Sequence, residues 1–276
     1  MQIKYFPVNS KNSYVVFENN DKIEELEPFM KENKLSRVIF SGFLGYSKSV
    51  LPFNNDIDVI EEISIQCSNI TDLTPLYHLS NIKKISIEEN AVLAHPFDIR
   101  KIAKLTDFFT DDTLKIDGFF DHPTLKQLHI EPKKTKKLDI HNENNILESL
   151  SIANSHILDL SDCKKFTNLK GLYIAYLPKI EDINFILDMP TLTDVEICSC
   201  KKIDNLIATL AQKNNLEKLT LWNQGNLDSI IPLSKLEHLT TLNIWEQTKI
   251  IDGKISFLEE MPNLKKIDIR KYTHYH

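Results

Sequence analysis

The sequence predicts an α/β solenoid: short parallel strands, each followed by a return arm, stacked behind an N-terminal cap. Three observations predict it. The phrase Leu216-x-x-Leu219-x-Leu221 recurs 23 residues later as Leu239-x-x-Leu242-x-Ile244. Starts of the same phrase fall at Leu35, Ile60, Ile82, Leu105, Leu125, Leu147, Leu169, Leu192, Leu216, Leu239 and Leu264, spaced 20 to 25 residues apart. Further apolar positions follow each phrase, as at Ile70, Leu73, Leu76 and Leu79, or Leu227, Ile230, Leu233 and Leu236. A single unit cannot bury its own apolar side. Stacked neighbours build a continuous core from the first, fourth and sixth positions, with the later apolar residues lining the return arm.

Leu-x-x-Leu-x-Leu at this period resembles a leucine-rich repeat. The stretch ITDLTPLYHLSNIKKISI (70–87) resembles the internalin-like subclass, with units of about 22 residues and a short helical turn on the convex side. The resemblance covers 35–269 and implies a horseshoe with about eleven parallel strands on its concave face. It is specific for fold and mute on activity. It also implies an Asn or Cys at the ninth position of a unit, satisfying backbone groups inside the turn. Asn90 and Cys200 fit; Ser68, Thr113, Ser155, Gln224 and Gln247 are other polar occupants, while Lys133 and Leu177 depart. The units starting at Leu105 and Leu125 are the weakest, with Phe108 and Thr110 in core slots of the first.

Residues 1–34 lack the repeat and are expected to form the cap, leaving 35–276 as the solenoid. MQIKYFPV and SYVVF have strand character. Asn20 or Asp21 is placed to cap a helix through DKIEELEPFMKENK, with Ile23, Leu26, Phe29 and Met30 on one face and Pro28 as a break or restart. The far end, RKYTHYH, shows no cap of this kind. Lys265, Lys266, Arg270 and Lys271 are expected to discourage edge pairing there.

With 42% hydrophobic residues the chain can bury a large core. A net charge of −6, from 33 basic and 39 acidic residues, disfavours nucleic acid and permits a basic protein partner. No basic segment followed by an apolar run opens the chain, and no run approaches the ~20 apolar residues of a membrane span. Cys67, Cys163, Cys198 and Cys200 show no disulfide framework. These features predict a cytoplasmic protein with reduced thiols and no membrane contact.

Side chains alternate along a strand, so positions three, five and seven face away from the core. From Ile60 through the unit at Leu192, positions three, five, seven and eight include Glu62, Glu88, Glu89, Asp107, Asp111, Asp112, Glu131, Asp194 and Glu196, opposed by Lys84. Phe109, His129, Tyr173, Tyr176, Trp222 and Trp245 share that surface. Exposed aromatics on a strand can simply pack across it. On a rigid sheet, Tyr and Trp also anchor interfaces, because they bury much area at small entropic cost. The partner-binding set is therefore Glu88, Asp107, Phe109, Asp111, His129, Glu131, Tyr173, Tyr176, Glu196, Trp222 and Trp245.

Other constellations read as structural. Cys198-x-Cys200 lacks a second pair, His274-x-His276 lacks further ligands, and no histidine pairs with a nucleophile. There is no glycine-rich phosphate loop. The basic run KKTKK at 133–137 reads as solvated surface. The expectation is a non-enzymatic protein-binding module with no cofactor and no metal. It would be an inhibitor resembling bacterial immunity proteins, which cover the active site of a toxin. An intracellular scaffold or adaptor is the alternative, and an enzyme subunit with activity in 1–34 stands behind both.

Overall fold

A computed structural model describes residues 1–5, 13–89, 92–111, 113, 115–141, 143–144 and 146–276. Asn90 and Asp112 lie outside the described residues. The chain forms two compact units, Met1–Ile130 and Glu131–His276.

In the first unit, β1 (Gln2–Tyr5) pairs antiparallel with β2 (Ser13–Val16). Helix α1 (Ile23–Asn33) follows, burying Leu26 and Met30. It runs through Pro28, where the sequence suggested a break. Pro28 is exposed, so its ring meets solvent, and only the bond its missing N–H would have made is lost. Nor does Asn20 or Asp21 cap the helix. Lys22 holds the N-cap position without a side-chain bond, while Asp21 accepts the Glu18 N–H at 2.8 Å and pairs with the N-terminal ammonium at 2.6 Å.

From β2 onward the pairing is parallel, through β3 (Arg37–Ser41), β4 (Glu62–Gln66) and β5 (Lys84–Glu88). After the short β6 (Phe97–Asp98), β7 (Asp107–Thr110) joins β5. After β8 (Ile116–Asp117), which pairs with β6, β9 (Gln127–Ile130) completes this run. Phe17, Phe40, Tyr46 and Phe53 pack behind β3, with ring centroids 5.0 to 6.3 Å apart.

The second unit repeats the pattern with β10 (Ser149–Ala153), β11 (Gly171–Ala175), β12 (Asp194–Cys198) and, after the single-turn α2 (Leu206–Leu210), β13 (Lys218–Trp222). Then β14 (Gly225–Leu227) precedes β15 (Thr241–Trp245), β16 (Thr248–Ile250) pairs with β14, and β17 (Lys266–Ile269) pairs with β15. Every one of the eleven phrases carries a strand that begins two residues after its start. The core is as the period requires: Ile60, Ile63, Ile65, Leu216, Leu219, Leu221, Leu239, Leu242 and Ile244 are fully buried. Each such side chain contributes about 1.5–3 kcal/mol of apolar transfer. Short 3-10 turns such as Thr74–His78 and Ile231–Lys235 form the return arms.

The turn after each strand has a feature that the residue types conceal. Among the described residues position eight is left-handed in six units, at Glu89, Asn154, Tyr176, Ser199, Asn223 and Glu246, with φ between 48° and 69°. There the N–H extends the ladder by one bond: Asn154 to Ala175 O, Tyr176 to Cys198 O, Ser199 to Trp222 O.

The inward polar group comes next, with two corrections. In the unit from Ile60 it is Cys67, whose thiol reaches the Tyr46 carbonyl, while Ser68 is exposed. In the unit from Leu239 it is Thr248, fully buried and accepting the Gln224 N–H, while Gln247 is exposed. Ser155, Cys200 and Gln224 behave as expected, each donating to a backbone carbonyl.

At the C-terminal end, β17 exposes the residues that its neighbours bury. Ile267, which pairs with Leu242, is 43% exposed against 0%. The last residues fold back on the return arm. His276 N–H donates to Gly253 O, His276 O accepts from Ile255 and Ser256, and the Tyr275 hydroxyl accepts the Ile250 N–H at 2.8 Å. Gly253 has φ 66° and packs its α-carbon against the His274 backbone, leaving no room for a side chain.

Candidate functional site

The open sheet face lies opposite the core and differs between the two units. In the first unit, position three alternates in sign across neighbouring strands: Arg37, Glu62, Lys84, Asp107. Two cross-strand ion pairs result, Arg37–Glu62 at 2.5 Å and Lys84–Asp107 at 3.3 Å. Position five is small at Ser64 and Ser86. With Tyr14, Arg37, Glu62, Gln66 and Glu88, these line a depression of about 450 Å³. Glu88 accepts from Ser86 at 2.9 Å, and Asp111 accepts the Glu89 N–H at 2.9 Å. Phe109 and His129, paired in register, stack at 4.1 Å. Burial lowers the His129 pKa, opposed by the Asp111 charge.

The acid count read from the sequence therefore overstates the free negative charge. Arg37, one unit before the stretch counted, neutralises Glu62. Lys133 lies 3.8 Å from Glu131, which also accepts from Asn154, and Lys218 lies 3.3 Å from Asp194. The signal was present in the sequence: opposite charges occupy the same position of adjacent units, which the register places side by side.

The second unit presents a different surface. Its position-seven row reads Ala153, Ala175, Cys198, Trp222, Trp245 across five strands. The three small residues are buried, with Tyr173 and Trp222 packed against them. The two indoles meet edge to face with centroids 6.1 Å apart. The position-five row reads Tyr173, Glu196, Thr220, Asn243, Asp268. Glu196 forms no salt bridge among the described residues; burial, then the Asp194 charge, raises its carboxyl pKa. Burial, with Cys198 and Glu196 nearby, pushes the Tyr173 phenol up to about 12. Asn243 is 8% exposed; its amide donates to Thr220 at 3.0 Å, but its carbonyl oxygen is buried without a hydrogen-bond partner. The side-chain carbonyl oxygens of Asn223 and Gln224 are in the same condition. Tyr176 is half exposed and holds a left-handed backbone, a conformation costly for a bulky side chain.

All four cysteines are free and buried. His274 hydrogen-bonds the Ile250 carbonyl through Nε2, and His276 meets the His274 carbonyl through Nδ1. Among the described residues no group of three His, Cys, Asp or Glu side chains could hold a metal ion, and no helix is long and apolar enough to cross a membrane.

No protein-family model and no curated relative matches the chain. Solved structures do. An internalin (inlF) from Listeria monocytogenes aligns over 94% of this chain and 67% of its own, at 18% identity and TM-score 0.47. The Leptospira interrogans LRR protein LIC12759 aligns over 92% and 81%, at 13% identity and TM-score 0.39. TLR13, in a complex with a single-stranded RNA, aligns over 93% of this chain and 37% of its own, at 14% identity and TM-score 0.55. At such identities the likeness is one of fold. Joined to the eleven phrases and their parallel strands, it establishes a leucine-rich-repeat solenoid.

Proposed function

We propose that the chain is a non-enzymatic protein-binding module whose contact surface is the open sheet face of the second unit. The observation that carries this reading is the Trp222–Trp245 pair, set on adjacent strands beside buried amide oxygens that have no partner. Aromatic anchors on a rigid sheet bury large area at low entropic cost, and unmatched acceptors gain most from an incoming donor. The partner is a basic protein. Glu196, an acid with no salt bridge among the described residues, favours it.

The finer form of the reading is an inhibitor of a basic toxin or effector, acting in the manner of immunity proteins within the cytoplasm. Four free, buried thiols suit a reducing compartment. A scaffold or adaptor would use the same surface with less dependence on charge.

The test starts from the partner captured from the native cell. Trp222→Ala and Trp245→Ala should each weaken its binding by about 2 kcal/mol or more while the fold persists. Lys235→Ala, on a return arm, should leave affinity unchanged. Equal losses from both faces would overturn the assignment. Association that slows as salt rises supports the inhibitor form; association indifferent to salt favours the adaptor.

A further inference from the structure

Thr220 stands between Glu196 and Asn243 in the position-five row of the second unit, 9% exposed and smaller than either neighbour. Glu196 flanks it on one strand and Asn243 on the other, so the carboxylate and amide rows lie roughly 10 Å apart at ~4.8 Å per strand. Trp222 follows it two residues along β13, with Trp245 in register beside Trp222. The opposite wall is the Lys218–Asp194 ion pair, in which the one cation bordering the notch on these strands is already engaged. Two acceptors are left unmatched here among the described residues: the Glu196 carboxylate, which makes no ion pair, and the Asn243 amide oxygen, buried without a partner. Leaving such groups unmatched costs free energy, and a donor-rich group repays both at once.

We infer that this notch over Thr220 receives an arginine side chain of the partner, its guanidinium bonded to Glu196 and Asn243 and stacked on an indole face of the Trp222–Trp245 pair. The inference rests on the contact surface proposed above and names the chemistry that surface recognises. A guanidinium suits it better than an ammonium. It is planar, carries five donors in a fixed fork, sheds its hydration more readily, and stacks on indole faces. The Asn243 oxygen is buried in the free protein, so the bond to it requires the side chains that cover it to move.

The two tryptophans provide the readout, because the chain contains no others. N-acetyl-arginine amide is titrated into the ¹⁵N-labelled full chain while the two indole N–H resonances are followed, with the citrulline and lysine analogues in parallel. Both resonances should shift saturably with arginine, and the response to neutral citrulline should be about tenfold weaker or absent. Glu196→Gln, which keeps the size of the side chain, should weaken the arginine response about tenfold while the indole signals stay dispersed as in the native chain. No saturable shift, or equal shifts from arginine and citrulline, would overturn the inference. An equal response to lysine would replace the guanidinium with a generic cation and overturn it as well. The two readings fail separately. If partner binding needs Trp222 but the indoles ignore arginine, the contact surface stands and the notch falls. If arginine binds but the partner is indifferent to Trp222→Ala, the contact surface falls.

Discussion

The open faces of the two units solve the same problem in opposite ways. Each exposes alternate residues of parallel strands, and each carries polar groups that must find partners. In the first unit most find them within the chain, Arg37 with Glu62, Lys84 with Asp107, Glu88 with Ser86, although the buried Ser41 hydroxyl has none. In the second unit Lys218 and Asp194 pair likewise, but Glu196 makes no salt bridge among the described residues and the amide oxygens of Asn223 and Asn243 have no partner, near the two tryptophans in sequence. A largely satisfied face favours solubility and offers a partner little. An unsatisfied one holds free energy that binding can release.

That contrast can be broken at several depths. Leu219→Ala, beneath Trp222 on the core side of β13, should destabilise the second unit by about 2–5 kcal/mol in denaturant unfolding. Lys213 tests whether unmatched polarity in this unit costs stability even away from the open face. It is 3% exposed, its ammonium donates only to the Met189 carbonyl, and burial lowers its pKa. Lys213→Met should raise stability by about 1 kcal/mol, and a loss instead would show that the amine is well accommodated.

Glu196→Gln asks the same of the face itself, with pH as the variable. Because the folded carboxyl pKa is raised above its ordinary value near 4.5, the native state favours the protonated form. Its favourable contribution is present below pH 4.5 and lost as pH rises through the raised value. The variant should therefore be more stable than the native chain at neutral pH, with the gap closing on acidification. An acid-side gap equal to the neutral one would refute the burial account. The smallest effect belongs to the first unit. Breaking the half-exposed Arg37–Glu62 pair with Glu62→Gln should change stability by less than about 1 kcal/mol.

The strand positions were legible because a period held across eleven units leaves almost no freedom of register, and even Phe108 and Thr110 proved buried where the phrase placed them. The turns were less so. A left-handed residue is recognisable when it is glycine, but here the position is filled by Glu89, Tyr176 and Ser199, whose identities carry no such signal. The inward polar residue slipped to Cys67 in one unit and to Thr248 in another because units differ in length by single residues, and only packing decides which neighbour turns in. Pro28 was misread for a related reason: whether a proline breaks a helix depends on what surrounds its ring. On the open face, residue types were readable and pairing was not, until charges were compared between units instead of counted along the chain. Orphaned atoms such as the Asn243 oxygen have no sequence signature at all, since the same amide is satisfied or not according to its neighbour's rotamer.

Placing both tryptophans in the second unit also has a spectroscopic consequence. Indole emission belongs wholly to that unit, and the first contributes none of it. Far-ultraviolet dichroism, by contrast, averages every strand in the chain. If the two signals melt together, the units unfold as one cooperative body; if they part, the difference is the stability of one unit relative to the other. The edge-to-face indoles, 6.1 Å apart, are close enough to couple as paired chromophores, so near-ultraviolet dichroism would lose a distinctive band the moment β13 and β15 separate.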